Sequence, residues 1–326
     1  MPILDIIVPH YDEPFSTGKK LFDILALQRG ISFDSFRVLL VHDGSEHAFH
    51  QDDLFSGYPF TVHEIYIPHA GVSAARNAGI QASTAPWIMF CDFDDTFAGI
   101  YSLKYILDVL PTADAYDVLW SDFLVESRPA QDGTMALSAK GRNIIFLHGK
   151  VFRRSFITDN NLSFDTRLFF SEDSCFLAIA NILIDHRRVG KINAPLPIFA
   201  WCYRPNSATT DPDNAGRNCN NLFVRHRIVL NAFRRHNMLR NYNAMCARIL
   251  CDYYHHIHLD DPRLDKQTLL QDCAQFYAKH RVNFASVPLD ELHTVFQASR
   301  GEIAGKQAKT APENQLVPWL ESLLQP

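Results

Sequence analysis

Four short apolar runs, each closed by turn or charged residues, constrain what the first hundred or so residues of this chain can become. The run from Ile3 to Val8 is apolar except for Asp5 and stops at Pro9, and Phe36–Val41, Phe60–Ile67 and Trp87–Cys91 follow it. Runs of this length, rich in Val and Ile, read as buried strands. Thr17–Arg29 and Val72–Ala82 lie between them and are able to form helices. Strands alternating with helices predict an α/β fold, a mostly parallel sheet with helices on both faces. Such sheets take ligands at the carboxyl ends of their strands. Those ends read Pro9-His10-Tyr11-Asp12-Glu13, His42-Asp43-Gly44-Ser45 and Asp92-Phe93-Asp94-Asp95. Carboxylates from three strand tips are therefore predicted to converge on one edge of the sheet.

Further along, Tyr116–Val125 reads as a strand, Gln131–Lys140 as a polar surface loop and Asp173–Ile184 as a helix. Ile198–Tyr203 is a short strand closed by a turn at Arg204–Ser207. From about Ala215 the pattern becomes helix after helix, with Leu222, Val229 and Phe233 on one face and Asp211–Asn214 as the linker. These readings divide the chain into a catalytic domain, residues 1–212, and a helical region, residues 213–326. No run approaches the roughly 18 apolar residues of a membrane-spanning helix. The start, Met1 to Asp5, lacks a basic segment followed by an apolar one, which argues against a secretory leader. Seven cysteines without a C-x-x-C pair read as reduced thiols of a cytoplasmic protein. A net charge of −5 excludes nucleic-acid binding by bulk electrostatics. Arg217 to Arg248 nevertheless holds seven arginines and no acidic residue. Such a surface would attract an anionic polymer, a lipid-phosphate acceptor or the inner face of a membrane, or else cover apolar helix surface. The same helices would orient an acceptor or form a homo-oligomer contact. His255, His256 and His258 fall on different helix faces and read as packing or surface residues.

In an extended chain Asp92 and Asp94 point the same way, and two adjacent carboxylates repel unless a cation lies between them. Oxygen ligands favour Mg²⁺ or Mn²⁺, an ion that takes substrate phosphates as further ligands. Asp94 and Asp92 are thus the expected metal ligands, and the ion would neutralise a diphosphate leaving group. A competing pattern, D-x-D-x-T from Asp92 to Thr96, also opens haloacid-dehalogenase-like phosphatases, where Asp92 would be a nucleophile. Those enzymes begin with this motif on their first strand, whereas three strand-like runs precede it here.

Taken in order over residues 1–210, seven segments resemble family 2 glycosyltransferases of the GT-A fold. They are Ile7–Asp12; Val41–Ser45, similar to V-D-D-G-S; Gly71–Ile80, similar to G-x-S-x-A-R-N-x-G-I; Phe90–Asp95, similar to F-L-D-S-D-D; Lys150–Arg154, similar to K-L-F-R-R; Ser171–Asp173 with Phe176, similar to E-D-x-x-F; and Tyr203–Arg204 with Ser207 and Thr209. The resemblance implies transfer of a sugar, with inversion, from a nucleoside-diphosphate sugar, foremost a UDP-sugar. The acceptor would be of carbohydrate type: a polysaccharide, a lipid-linked glycan or a wall polymer. It implies that Asp43 accepts from the nucleobase edge, with Pro9, Tyr11 and Asp12 bordering the base. Ser73 and Arg76 would line the nucleotide pocket, with Asn77 shaping that loop. Asp94 would be the main metal ligand, Asp92 would hold the ribose or a metal-bound water, and Asp95 would face the donor sugar. Arg204 would pair with the diphosphate. Asp173 would be the general base, kept ionised by the start of its helix, with Glu172 in a supporting role. Three departures stand out: His42 in place of the family's first Asp, His10 in the first loop, and Phe93, large enough to reshape the sugar pocket. A catalytically inactive nucleotide- or glycan-binding module is a third reading, against which the intact Asp94 and Asp173 argue.

Overall fold

A computed structural model describes residues 1–45, 54–141, 146–205, 215–304 and 312–325. The chain divides into two compact units, Met1–Thr210 and Asp211–Pro326. The expected linker Asp211–Asn214, with Ser207 and Thr209, lies outside the described residues.

The first unit runs β1 (Leu4–His10), α1 (Phe15–Ala26), β2 (Phe36–Asp43), β3 (Thr61–Ile67), α2 (Val72–Ala82), β4 (Trp87–Phe90) and β5 (Thr96–Phe97). It continues through α3 (Ser102–Val109), β6 (Val118–Trp120), β7 (Phe123–Glu126), β8 (Leu137–Lys140), β9 (Lys150–Arg153) and α4 (Arg154–Asp159). It ends with α5 (Glu172–Leu183), β10 (Val189–Lys191) and β11 (Phe199–Trp201). A seven-stranded sheet has the order β10-β6-β9-β4-β1-β2-β3, and β9 runs antiparallel to both neighbours. A four-stranded sheet, β5-β11-β7-β8, stands beside it.

The parallel strands are apolar on both faces because both faces are covered. Leu4, Ile6 and Val8 of β1 enter one core cluster, while Ile7 enters the other with Leu39, Val41 and Phe90. Helix α2 lies so close to the sheet that a Cβ on Gly79 would meet Ile7 Cγ2 at 2.4 Å. Asp5, the one polar break in the first run, is fully buried and fully partnered. Its carboxylate takes Arg37 at 3.0 and 2.9 Å, Ser83 Oγ at 2.8 Å, and the Thr84 and Ala85 amides at 3.0 and 3.1 Å.

Two expectations change. Tyr116–Val125 is two strands, because its centre is claimed by both sheets: Ser121 N–H donates to Gly149 O, and the Asp122 carbonyl accepts from Ile198 N–H. Within Gln131–Lys140, read as a loop, Leu137–Lys140 forms the exposed edge strand β8 against β7.

The second unit is built from α6 (Ala215–Arg235), α7 (Leu239–His258), α8 (Lys266–Ala285), α9 (Leu289–Ala304) and α10 (Leu316–Ser322). Helix α7 is its centre, burying Cys246, Leu250, Tyr253 and Tyr254. From α6, Cys219, Phe223 and Leu230 reach this core, and Leu222 and Phe233 are only partly buried. The true stripe includes Cys219 and the buried His226, residues that an apolar count passes over. His255 and His256 are packing residues, and burial lowers the His255 pKa to about 4. Several arginines of the basic segment are committed to carboxylates: Arg227 to Asp272 at 3.2 Å, Arg240 to Glu291 at 3.3 Å, and Arg248 to the buried Asp252 at 2.9 Å. Among the described residues no helix is long and apolar enough to cross a membrane.

Replacing Asp5 by Ala strips the partly buried Arg37 cation and three other donors of their buried acceptor. The cost expected is about 3–5 kcal/mol, read as a lowered urea midpoint at unchanged m-value.

Candidate active site

The predicted strand tips do meet, because β4, β1 and β2 are adjacent in the sheet. Asp43 ends β2 and points toward the start of α2. Its two carboxylate oxygens take the Ala70 and Gly71 amides at 2.7 and 2.8 Å, and His69 Nδ1 lies 3.0 Å from Oδ2. A carboxylate at the positive end of a helix is stabilised there. The turn after it needs glycine: Gly44 has φ +71°, and a Cβ would meet the His69 backbone nitrogen at 2.6 Å. Tyr11, about half exposed, stacks on His69 with ring centroids 4.2 Å apart. Asp12 adopts φ +53°, and its amide donates to Ser45 Oγ at 3.2 Å. Pro9, buried in β1, is aligned with Val41 of β2. Ser73 is buried, with no partner for its hydroxyl among the described residues, and Asn77 pins Phe164 by paired amide bonds of 2.9 Å.

Arg76, on the buried face of α2, carries the central charge. Its guanidinium donates to Asp92 at 2.7 Å and to Glu172 at 2.7 Å, and lies over the Phe164 ring. Glu172 and Asp173 open α5, behind Ser171 at φ +63°. Asp94 turns to Arg204, whose Nε lies 2.6 Å away, and Arg204 also reaches Glu13 of the first loop at 3.3 Å. Asp95, expected to face the donor sugar, is instead enclosed. One oxygen accepts the Cys202 amide at 2.9 Å and the other lies 3.1 Å from His148 Nε2. Phe93 turns into the core, against His10 and Phe22 and above Gly18, rather than into the sugar pocket.

These contacts separate the proton affinities of neighbouring acids. Burial pushes Asp92 up, but Arg76 and then His148 outweigh it, and its pKa is lowered. Asp94 is raised by burial and by Asp92, against Arg204. Asp95 is raised to about 6 by burial, which His148 only partly opposes. Asp173 is raised to about 7, by burial first and Glu172 second. The start of α5 therefore does not keep Asp173 ionised as expected, because enclosure beside a second carboxylate is the larger effect.

The residue missed in the sequence is His148, just before β9. Its pKa is raised: burial lowers it, but Asp95, Asp92 and Asp173 prevail. Asp92, Asp95 and His148 each offer a ligand atom within 4.8 Å of the others, the one such group among the described residues. His148 Nδ1 is buried without a hydrogen-bond partner among the described residues. This donor set fits a divalent cation, although Asp94 does not belong to it. The available signal was position: His148 stands two residues ahead of the K-V-F-R-R segment, which returns beside β4.

The family model described as "Glycosyl transferase family 2" matches residues 5–169, just over half of the chain. An uncharacterized glycosyltransferase, EpsJ of Bacillus subtilis (strain 168), is 25% identical over 232 residues, 65% of this chain and 64% of that relative. The match thus spans less than two thirds of the relative's length. The crystal structure of S. aureus TarS 1-349 shares the fold at TM-score 0.54 and 18% identity, covering 99% of this chain and 83% of that one. The same protein in complex with UDP-GlcNAc gives TM-score 0.53 at 18% identity, covering 99% and 84%.

A carboxyl group whose pKa rises on folding weakens the fold as pH climbs from its unfolded value to its folded one. Stability should therefore fall between about pH 4 and about pH 7 on account of Asp173. Thermal melts of Asp173→Asn should lose that part of the fall and exceed wild type at pH 8, with little difference at pH 4.

Proposed function

Because the chain belongs to glycosyltransferase family 2, we propose that it transfers a sugar, with inversion, from a nucleoside-diphosphate sugar to an acceptor hydroxyl. One observation carries the reading: a single interlocked cluster combines an ionised acid, Asp92, with an acid titrating at about 7, Asp173, and with the cations Arg76 and Arg204.

The donor nucleotide lies along Pro9, Tyr11, Asp12, Asp43, Ser73 and Arg76. The TarS structure holding UDP-GlcNAc supports a UDP-sugar as the first donor to test. Arg204 would pair with the diphosphate, and Asp94, released from it, would help Asp92 hold a divalent cation. Asp95 and His148 offer further ligands, and the imidazole favours Mn²⁺ over Mg²⁺. When bound, the ion supplies neutralisation of charge developing on the leaving diphosphate. Asp173 accepts the proton of the attacking hydroxyl, and its pKa near 7 suits a general base. Attack opposite the leaving group inverts the anomeric centre. The acceptor is of carbohydrate type. The phosphatase reading needs Asp92 as a free nucleophile on a first strand, whereas Asp92 follows the fourth and is held by Arg76.

With Mn²⁺ and a panel of nucleotide sugars, slow release of nucleoside diphosphate is expected without acceptor and faster release with a suitable one. Asp173→Asn should lower acceptor-dependent kcat by at least about 100-fold at nearly unchanged donor KM. In wild type the rate should rise about tenfold per pH unit below pH 7 and then level. His148→Ala should raise the Mn²⁺ needed for half-maximal rate by at least about tenfold. Phosphate release from a simple phosphoester, abolished in Asp92→Asn, would overturn the assignment.

A further inference from the structure

Three polar side chains outside the catalytic cluster lie in a row beside the Pro9–Glu13 loop. His10 and His42 are register partners at the ends of β1 and β2, and both are buried. His10 Nε2 lies 2.7 Å from the carbonyl oxygen of Glu13. The Nδ1 atoms of His10 and His42 are 2.9 Å apart. His42 Nε2 lies 3.0 Å from Oε1 of Glu64 on β3, an oxygen that also accepts from the Tyr66 hydroxyl at 3.0 Å. The Tyr66 ring stacks on His42 at 4.5 Å.

The hydrogens in this row can be counted. A carbonyl only accepts, so His10 Nε2 carries one. The two facing Nδ1 atoms share one. An ionised carboxylate only accepts, so His42 Nε2 carries a third. Two neutral imidazoles bring two. We infer that His10, His42 and Glu64 together hold one proton beyond two neutral rings and a carboxylate, and that this proton fixes the loop bordering the donor nucleotide. Placed on either ring or on Glu64, it closes all three links. Without it, two acceptors face each other at one link, and a buried hydrogen bond left unmade costs more than a made one contributes.

The loop is reached at two points. His10 holds the Glu13 carbonyl, and Ser45 Oγ lies 3.2 Å from His10 Nδ1 while accepting the Asp12 amide at 3.2 Å. Asp12, at φ +53°, sits in a conformation that needs such support. The other charged groups nearby are engaged: Asp43 by Ala70, Gly71 and His69, and Glu13 by the Tyr11 amide and Arg204. Burial lowers the His42 pKa, the hydrogen bond to Glu64 opposes it without prevailing, and the His10 beside it lowers it further. His10, His42 and Glu64 are positioning residues, and their bearing on the donor rests on the reading given under Proposed function.

Glu64→Gln provides the discriminating variant, since its amide can donate to a bare His42 Nε2 and two neutral rings then suffice. In full-length protein labelled with ¹⁵N in histidine rings and ¹³C at Glu carboxyls, wild type should show one proton transition shared by the three groups. The Tyr11 and Asp12 amide signals should move with it, and UDP should bind about three- to tenfold more weakly above it. Glu64→Gln should show neither the transition nor the added weakening, the ionisation of UDP itself being common to both proteins. Two neutral rings beside an ionised Glu64 at the lowest pH where the protein is folded would overturn the inference. So would a transition that persists in Glu64→Gln, or one that leaves the Tyr11 and Asp12 amides unmoved. Absence of UDP binding at every pH would count against the donor reading alone, because the ring and amide signals decide the proton count without nucleotide.

Discussion

One buried guanidinium ties the catalytic unit together. Arg76 bridges the tip of β4, through Asp92, to the first turn of α5, through Glu172. It projects from α2, and the Ala70 and Gly71 amides just ahead of that helix are held by Asp43 at the end of β2. Four elements thus meet through one cation and three carboxylates. The arrangement works only as a whole, since a lone charge in this setting would be strongly disfavoured.

The same clamp decides which acid is ionised. Asp92 faces Arg76 directly and keeps its charge, whereas Asp173 lies one residue beyond the clamped Glu172 and binds its proton to about pH 7. Neighbouring carboxyls with proton affinities driven apart can serve opposite ends of one reaction, one as a fixed anion and one as a proton acceptor. Asp95 takes a third part. Its enclosed carboxylate joins the acidic loop to the chain after β11 and to His148, so it braces the cluster from behind.

Much of this was legible in the sequence because parallel strands buried on both faces leave a plain signature, and their carboxyl ends are where ligands gather. Even Asp5, out of place in its apolar run, marks the strand correctly once its five donor contacts are seen. Asp12 takes a positive φ at the first strand end, and Asp tolerates that left-handed region better than most side chains. What local pattern could not supply was partnership across distance. The pairing of Asp94 with Arg204, the inward turn of Asp95, and the arrival of His148 just ahead of the antiparallel strand between β6 and β4 all depend on segments separated by dozens of residues. The division of Tyr116–Val125 between two sheets had the same origin, as each half answers to a different neighbour.

Gly79 shows how finely such distance is set. With no side chain there, α2 rests directly on Ile7. Arg76 lies three positions earlier on the same face, so the gap between helix and sheet also sets how deep its positive charge sits. A missing methyl group on one side of the helix thus acts as a spacer for an ion pair on its neighbouring turn, and the electrostatics of this centre are tuned by a purely steric dimension.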